Sequence, residues 1–348
     1  MEKDFVRWGL LSTARINNRL IPAIRESDRS ILLAISSRNQ SAADDFARTF
    51  GIPRSYGTYE AMLGDPEIDA VYISVPNGYH AEWAIKSANA GKHVLCEKPL
   101  ALTVAEVDQM ESAAKRNGVV LQEASMYRFH PQTLKVQELI ASGTIGEVRI
   151  IRGAFSFTLV NIGDVRLDPE IGGGSLWDIG SYPVSYARAL LKANPVTVFG
   201  SQVANKHGVD LTFAGQMQFS NGALAQFACS FQAAPHTVME IIGTEGHIFM
   251  NLPWRNRPKE RGVVQITRRG AATTVATFGD NVDDYFTERL VFGASGNDAY
   301  LSEVESMVGS ILDNVAPVVS VDDSRGNVAT LVALLRSARC NHPVDVQI

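Results

Sequence analysis

The chain of 348 residues is too long for one simple hydrophobic core, so its length predicts two domains. With 45% hydrophobic residues and a net charge of −5, the composition excludes an extended basic surface for nucleic acid, and no apolar run is long enough to cross a bilayer. The charged N-terminal stretch predicts no export signal. Three widely spaced cysteines (Cys96, Cys229 and Cys340) predict buried thiols in a reducing compartment, so we expect a cytoplasmic protein.

The first 125 residues alternate apolar strands with helix patterns. Strands are predicted at Phe5–Leu11, Ile31–Ile35, around Tyr56, and at Ala70–Ser74, Val94–Cys96 and Val119–Glu123. Helices are predicted after Ile16, at Ser41–Phe50 and Tyr59–Leu63, after Gly78, and at Val104–Arg116. This alternation predicts a doubly wound parallel sheet of the Rossmann type. Ligands of such sheets bind beyond the carboxyl ends of the strands.

The first strand end reads Ser12-x-Ala14-x-x-Asn17, so none of the glycines of G-x-G-x-x-G is present. Small residues still permit close approach of the backbone, and the next helix would direct its N-terminus at a pyrophosphate. The turn is therefore either purely structural or a cofactor site. The predicted cofactor-binding residues are Ser12, Thr13, Ala14, Arg15 and Ile16.

The second strand ends in Ser36-Ser37-Arg38, and no carboxylate follows until Asp44. An NAD site normally has an acidic residue there for the ribose hydroxyls, whereas a serine and an arginine suit a 2′-phosphate. The alternative is a solvated arginine in a loop. If the sheet binds a dinucleotide, Ser37 and Arg38 predict NADP(H) in preference to NAD(H).

Polar residues also follow the fourth and fifth strands. Val75, Pro76 and Asn77 are predicted to contact the cofactor and lead into a helix that carries His80. The stretch HVLCEKP ends in Glu97, Lys98 and Pro99. A lysine at the end of a buried strand is partly desolvated and able to pass a proton. An isolated E-K-P triplet is otherwise an ordinary charged turn. The Lys98–Pro99 bond is expected to be cis.

Residues 126–348 predict a second, α+β domain with a large, mostly antiparallel open sheet. Its predicted strands are Glu147–Leu159, Thr197–Val203, Leu211–Phe219, Ala223–Phe231, Thr237–Ile242, Val263–Thr267 and Thr273–Phe278. Its predicted helices are Gln132–Ser142, Gly174–Leu191, Ala299–Asn314 and Ser324–Arg339, and 280–297 is expected to be a mobile loop. The open face of the sheet predicts an interface between copies, in a dimer or tetramer.

Seven segments carry a resemblance to a known family. They are WGLLSTARI, SSR, VPNGYH, CEKPLALT, MYRFHP, GGGSLWDIGSY and EIIGTEGHI, in this order along the chain. On these motifs the chain resembles the glucose–fructose oxidoreductase/inositol dehydrogenase/MocA (Gfo/Idh/MocA) family of NAD(P)-dependent oxidoreductases. It is most similar to the aldose dehydrogenases, dimeric dihydrodiol dehydrogenases and sugar ketoreductases within it.

The resemblance implies that Lys98, Asp178 and Tyr182 surround the reacting carbon of a sugar or polyol. Asp178 and Tyr182 are four residues apart and would share one helix face. We expect Tyr182 to be the acid/base, with a pKa lowered by Lys98, and Asp178 to accept a substrate hydroxyl. The reverse assignment of Lys98 and Tyr182 stays open.

Weaker candidates follow from the same resemblance. It implies that His80 hydrogen-bonds the nicotinamide ribose, the alternative being a helix cap, and that Glu97 anchors the E-K-P turn and touches the same ribose. It places Arg128 and Arg166, with Lys98, at the cofactor; the alternative for the two arginines is a solvated surface charge. Tyr127, Trp177 and His236 would line the sugar pocket, and the alternative for each is an ordinary packed residue. No His/Cys spacing predicts a metal. The function expected is an NADP(H)-dependent sugar or polyol oxidoreductase; the alternatives are an NAD-dependent glycosidase that acts by transient oxidation, or a non-catalytic sensor.

Overall fold

In the computed structural model, which describes residues 4–161, 163–254, 261–269, 285–292 and 299–348, the first sheet has six parallel strands. They are β1 Val6–Leu11, β2 Ser30–Ser36, β3 Arg54–Tyr56, β4 Ala70–Ile73, β5 His93–Glu97 and β6 Leu121–Ala124. Their order across the sheet is β3-β2-β1-β4-β5-β6. The direction of winding reverses between β1 and β4, where doubly wound sheets bind their ligands. The predicted Rossmann sheet is confirmed.

Helices cover both faces of this sheet. They are α1 Asn17–Glu26, α2 Gln40–Phe50, α3 Tyr59–Leu63, α4 His80–Asn89 and α5 Val104–Asn117. Thr103 begins α5 with a capping box closed by Glu106, and Gly118 ends it in the left-handed conformation. A helix from the end of the chain, α8 Ala299–Leu312, also packs on this sheet through Val304 and Met307.

Among the described residues the second sheet has nine strands, and the pairing of β7 with β10 is its parallel one. Its strands are β7 Val148–Ser156, β8 Pro195–Ala204, β9 Asp210–Phe219, β10 Leu224–Ser230, β11 His236–Gly243, β12 Gly246–Asn251, β13 Gly262–Arg269, β14 Tyr285–Phe292 and β15 Val344–Asp345. The order is β14-β13-β12-β11-β7-β10-β9-β8-β15. The predicted large, mostly antiparallel sheet is confirmed.

Three of these strands, β12, β14 and β15, were not predicted. Residues 285–292 form β14, so this part of the predicted 280–297 loop is wrong: strand pairing with β13 supplies the order that local composition does not show. The rest of that loop and the predicted strand Thr273–Phe278 lie outside the described residues. The division of the chain at 125/126 stays a prediction.

The remaining helices are α6 Pro131–Ala141, α7 Ser181–Leu191 and α9 Val321–Cys340. The predicted helix Gly174–Leu191 is not regular throughout, because a π-helical turn over Leu176–Gly180 precedes α7. Pro183, in the first turn of α7, has no N–H to donate to the carbonyl four residues earlier and crowds it, so regular α-helical bonding is interrupted where the π-helical turn meets α7. Wide turns of this kind occur often at functional sites.

Cys96 and Cys229 are buried, as predicted, but Cys340 is exposed because it lies in the last turn of α9. Among the described helices, none combines the length and apolarity that crossing a membrane requires.

Candidate active site

Lys98 lies directly after β5, in a turn whose backbone contacts the side chains of Glu97 and His80. The Lys98–Pro99 peptide bond is cis, as expected. One carboxylate oxygen of Glu97 accepts the Lys98 N–H at 3.2 Å, and the other accepts the hydroxyl of Tyr72. Burial raises the pKa of Glu97. Glu97 therefore anchors the turn.

His80, at the start of α4, also binds this turn. Its ring is fully buried, with Nδ1 2.8 Å from the Pro99 carbonyl oxygen and Nε2 2.9 Å from that of Val75. This geometry leaves no ring nitrogen for the predicted hydrogen bond to a nicotinamide ribose. His80 instead ties the ends of β4 and β5 together beneath Lys98.

The ammonium group of Lys98 brings together the three predicted catalytic residues. Nζ donates to the main-chain oxygen of Asp178 at 2.6 Å and to its Oδ1 at 3.1 Å. The same nitrogen lies 4.8 Å from the ring centroid of Tyr182. The side chains of Lys98 and Asp178 are 15% and 18% exposed, so the pair is partly desolvated yet still accessible.

Arg166 occupies the second carboxylate oxygen of Asp178. Its Nε donates to Oδ2 at 2.6 Å, and its Nη1 donates to Asp164 at 3.1 Å. Burial by itself would raise the pKa of Asp178, but attraction to Lys98 and Arg166 outweighs it and holds the pKa below its usual value. Arg166 was predicted as a cofactor ligand, and here it lies beside the predicted catalytic carboxylate.

Aromatic rings fix the position of Tyr182. Its ring centroid lies 5.6 Å from that of Phe155, 5.8 Å from Trp254 and 5.9 Å from Tyr127. Among the described residues the Tyr182 hydroxyl has no hydrogen-bond partner, which leaves it free for a substrate.

The pKa of Tyr182 differs from the expectation. Burial, together with the carboxylates of Glu97 and Asp178, raises it well above its ordinary value. The expectation of a lowered pKa is wrong in its net direction for the protein alone, because burial and the nearby carboxylates outweigh any effect of Lys98.

Asp210, at the start of β9, anchors the turn that carries Asp178. Its Oδ2 accepts the Ser175 hydroxyl at 2.6 Å and the Leu176 N–H at 2.7 Å. A Cβ at Gly174, which has φ of 132°, would lie 2.2 Å from Asp210 Oδ1, so this position requires glycine. Sequence reasoning missed Asp210, because it follows the turn by more than thirty residues and no local motif connects them.

The turn between β1 and α1 suits a dinucleotide. The backbone N–H groups of Thr13, Arg15 and Ile16 have no hydrogen-bond partner within the described residues, and the first turn of α1 contains no acidic residue. Free amides at a helix N-terminus are the donor set that binds pyrophosphate. The residues present therefore fit the cofactor.

The other predicted cofactor residues lie at the same sheet edge. Ser37 follows β2, and Arg38 is exposed with no ion pair or hydrogen bond in the part of the chain that the structure describes. Val75 and Pro76 follow β4, and Asn77 donates to the Gly172 carbonyl at 2.9 Å. This last bond connects the first sheet to the glycine run before α7.

The remaining candidates have other contacts. Arg128 donates to Asp323 of α9 at 2.6 Å, and the Tyr127 hydroxyl lies 2.6 Å from the Ser185 hydroxyl. Trp177 is buried in the core of the second sheet, and His236 is exposed at the start of β11. In the described ranges, no three His, Cys, Asp or Glu groups are placed to hold a metal ion.

A Rossmann sheet that offers free amides at a helix N-terminus, next to a Lys–Asp–Tyr cluster at its carboxyl edge, defines a dinucleotide-dependent oxidoreductase. Comparison with known proteins agrees. Residues 6–125 match the oxidoreductase family with an NAD-binding Rossmann fold, GFO_IDH_MocA, and residues 133–249 match the GFO/IDH/MocA C-terminal domain. The chain belongs to the Gfo/Idh/MocA family, as its sequence motifs predicted.

Individual relatives narrow the comparison. D-xylose 1-dehydrogenase (NADP(+)) 2 of Haloferax volcanii is 35% identical over 342 residues, which cover 97% of this chain and 99% of that protein. Trans-1,2-dihydrobenzene-1,2-diol dehydrogenase of Danio rerio is 35% identical over 70% of this chain and 73% of its own length. The crystal structure of KijD10, a 3-ketoreductase from Actinomadura kijaniata in complex with NADP and TDP-benzene, has a TM-score of 0.86 at 27% identity, covering 96% of this chain and 98% of that one.

Proposed function

We propose that the protein is an NADP(H)-dependent oxidoreductase that acts on a hydroxyl-bearing carbon of a sugar or polyol. The observation that carries the proposal is the position of Lys98 Nζ, which contacts the Asp178 carboxylate and the face of Tyr182 at once. The similarity to a D-xylose dehydrogenase and a ketoreductase supports a substrate of this class.

When bound, the nicotinamide ring accepts or donates a hydride at C4. The chain's own residues handle the proton and the orientation of the substrate. Because burial keeps Tyr182 protonated at neutral pH, its phenol donates a proton to a substrate carbonyl oxygen in reduction. In oxidation Tyr182 first loses its proton to water, and the phenolate, which the Lys98 ammonium stabilises, then accepts the proton of the substrate hydroxyl. The ionised Asp178 accepts a neighbouring substrate hydroxyl and keeps Lys98 in place.

The proposed preference for NADP(H) rests on the end of β2. Arg38 is exposed and has no acidic partner among the described residues, so its guanidinium is available to a 2′-phosphate. A carboxylate at this position would repel that phosphate. A cytoplasmic location is part of the proposal and is supported by three cysteines that form no disulfide.

We also propose a homo-oligomer formed through the open face of the second sheet. Its strands β8 and β12 expose large apolar side chains, namely Val196, Phe199, Val203 and Phe249. Side chains of this kind are stabilised when a second copy covers them. Light scattering of the purified protein tests this: a mass of two or four chains is expected, and a monomer at micromolar concentration would contradict it.

The test of the activity combines a substrate screen with two variants. Sugars and polyols are offered with NADP⁺ or NAD⁺, and absorbance of the reduced nicotinamide is followed. Lys98→Met and Tyr182→Phe should each lower turnover by ~10²–10⁴-fold, the usual size of an acid–base contribution. Binding of NADPH, measured by fluorescence, should change less than about twofold, because neither change removes a phosphate contact. Unchanged turnover in both variants would refute the site, and turnover without net absorbance change would indicate the glycosidase alternative.

A further inference from the structure

The turn after β1 contains an unusual backbone conformation. Ser12 has φ of 104°, a region that residues with a side chain rarely adopt. Ser12 aligns with the first glycine of G-x-G-x-x-G, a position at which glycine normally makes the tight turn possible. Something other than glycine must therefore hold this conformation here.

Three side chains form a closed hydrogen-bond network around Ser12. The Ser12 hydroxyl donates to the Ser74 carbonyl at 3.0 Å, and the Ser74 hydroxyl donates to Asn17 Oδ1 at 2.9 Å. Asn17 Nδ2 completes the ring by donating to the Ser12 carbonyl at 2.7 Å. The Ala14 N–H donates to the Ser12 hydroxyl at 3.2 Å. The Ser12 hydroxyl also lies 3.0 Å from the Ser74 hydroxyl, and the Ser74 hydroxyl lies 3.4 Å from the Leu11 carbonyl oxygen.

The network is buried and its central member is an amide. Asn17 is 0% exposed, although it lies on the first turn of α1, and Ser74 at the end of β4 is also buried. The Asn17 amide supplies both a donor for the Ser12 carbonyl and an acceptor for the Ser74 hydroxyl. Asn17 therefore connects the β1 turn to the next strand of the sheet.

The network accounts for which amides stay free. It consumes the Ala14 N–H, while the N–H groups of Thr13, Arg15 and Ile16 have no partner among the residues described. These are the groups that fit a pyrophosphate. Holding Ser12 in its unusual conformation fixes their relative positions before any cofactor arrives.

We propose that Asn17, with Ser74, is a positioning residue for the dinucleotide, and that their network replaces the fingerprint glycines of this turn. The inference rests on cofactor binding at the first sheet. It adds that Asn17, which makes no contact with a reacting atom, sets the affinity for the cofactor through the backbone of Ser12–Ile16.

The test measures NADPH binding directly, by fluorescence titration and by the shift in melting temperature that NADPH causes. Asn17→Ala should raise the Kd for NADPH by about tenfold or more, with kcat at saturating cofactor within about twofold of wild type. Asn18→Ala is the matched control, since it removes the same side chain from the adjacent, exposed position and should leave the Kd unchanged. Equal Kd values for the two variants would overturn the proposal.

Two further variants keep the test informative if Asn17→Ala loses stability. Ser74→Ala removes one hydroxyl from the network and should also weaken NADPH binding. In a Ser12→Gly background, where glycine accepts the positive φ without help, the effect of Asn17→Ala on Kd should shrink severalfold. An undiminished effect in that background would contradict a role through the Ser12 conformation. Failure of the wild type to bind NADPH or NADH would instead refute the proposed function.

Discussion

Two clusters of charged side chains join the first half of the chain to the second, and they differ in the exposure of one arginine in each. The site cluster consists of Lys98, Asp178, Arg166 and Asp164. The buried cluster consists of Arg128, Asp323, Arg188 and Glu123. In both clusters a carboxylate lies between two cations: Asp178 between Lys98 and Arg166, and Asp323 between Arg128 and Arg188.

The difference lies in what each cluster leaves available. Arg166 is 35% exposed, and the Tyr182 hydroxyl next to the site cluster has no partner among the described residues. Arg188, by contrast, is 4% exposed, and Asp323 on α9 holds it together with Arg128. In the proposed function the first pairing serves proton transfer, whereas the pairing on Asp323 holds α9 to Arg128 and Arg188.

Glu123 connects the buried cluster to the turn that carries Lys98. Its Oε1 accepts the Leu100 N–H at 3.0 Å, and its Oε2 accepts the Ser324 hydroxyl at 2.6 Å. The C-terminal helix α9 is thus bound to the backbone two residues beyond Lys98. We infer that the buried cluster keeps the site cluster in register.

The largest effect is expected on breaking the buried cluster. Asp323→Ala leaves two largely buried arginines without their carboxylate, which typically costs about 3–5 kcal/mol of unfolding free energy. The measurement is urea unfolding at neutral pH. Asp322→Ala is the matched control, because Asp322 lies in the same helix turn but is 84% exposed in its pair with Arg325, and such pairs contribute about 0–1 kcal/mol. Equal losses for both variants would show that the buried cluster does not stabilise the fold.

A second prediction uses the pH dependence of the buried cluster. Burial raises the pKa of Glu123 from 4.5 to about 7, although the Ser324 hydrogen bond partly opposes this. Between these values the folded state keeps a proton that the unfolded state has released, so stability falls as pH rises and levels off above pH 7. The rise in pKa is equivalent to about 3 kcal/mol. Glu123→Gln should remove this contribution to the pH dependence of the unfolding free energy. Urea unfolding at pH 5 and pH 8 measures it.

Ser324→Ala provides the control for this interpretation. It removes the hydrogen bond that favours the ionised carboxylate, so the pKa of Glu123 should rise further and the decline in stability should extend to higher pH. A stability difference between wild type and Glu123→Gln that is the same at both pH values would show that Glu123 does not titrate in this range.

Much of the fold and part of the site could be predicted from sequence because both follow from local rules. Alternating strands and helices fix a parallel sheet, and all carboxyl ends of such a sheet share one edge, which places Ser12, Arg38, Asn77 and Lys98 there. The cis bond before Pro99 follows from the same segment. The strands of the second sheet whose residues alternate clearly between apolar and polar were also predicted.

What escaped prediction depends on contacts between distant segments. Strand β14 is defined by its pairing with β13, and Asp210 binds a turn that precedes it by more than thirty residues. The bond from Arg166 to Asp178 crosses an irregular loop with no periodicity to place the guanidinium. The direction of the Tyr182 pKa shift depends on burial and on the carboxylates of Glu97 and Asp178, which spacing along a helix cannot show.

The smallest effect is expected on changing Arg166. The sequence predicted this residue at the cofactor, whereas the structure shows it bound to Asp178. Arg166→Gln removes one of the two cations that keep Asp178 ionised, so the pKa of Asp178 should rise and the acid limb of kcat/KM should move to higher pH. We expect kcat/KM at neutral pH to fall about tenfold, or about 1.4 kcal/mol.

Arg166→Lys tests whether charge alone is sufficient. The lysine keeps a cation near Asp178 but not the planar donor that binds Oδ2. It should therefore return the acid limb of the kcat/KM profile close to its wild-type pH, while kcat recovers less. Fluorescence titration with NADPH distinguishes the alternative. If Arg166→Gln raises the Kd for NADPH tenfold and leaves the pH profile unchanged, Arg166 acts on the cofactor, and the site cluster holds Asp178 through Lys98 alone.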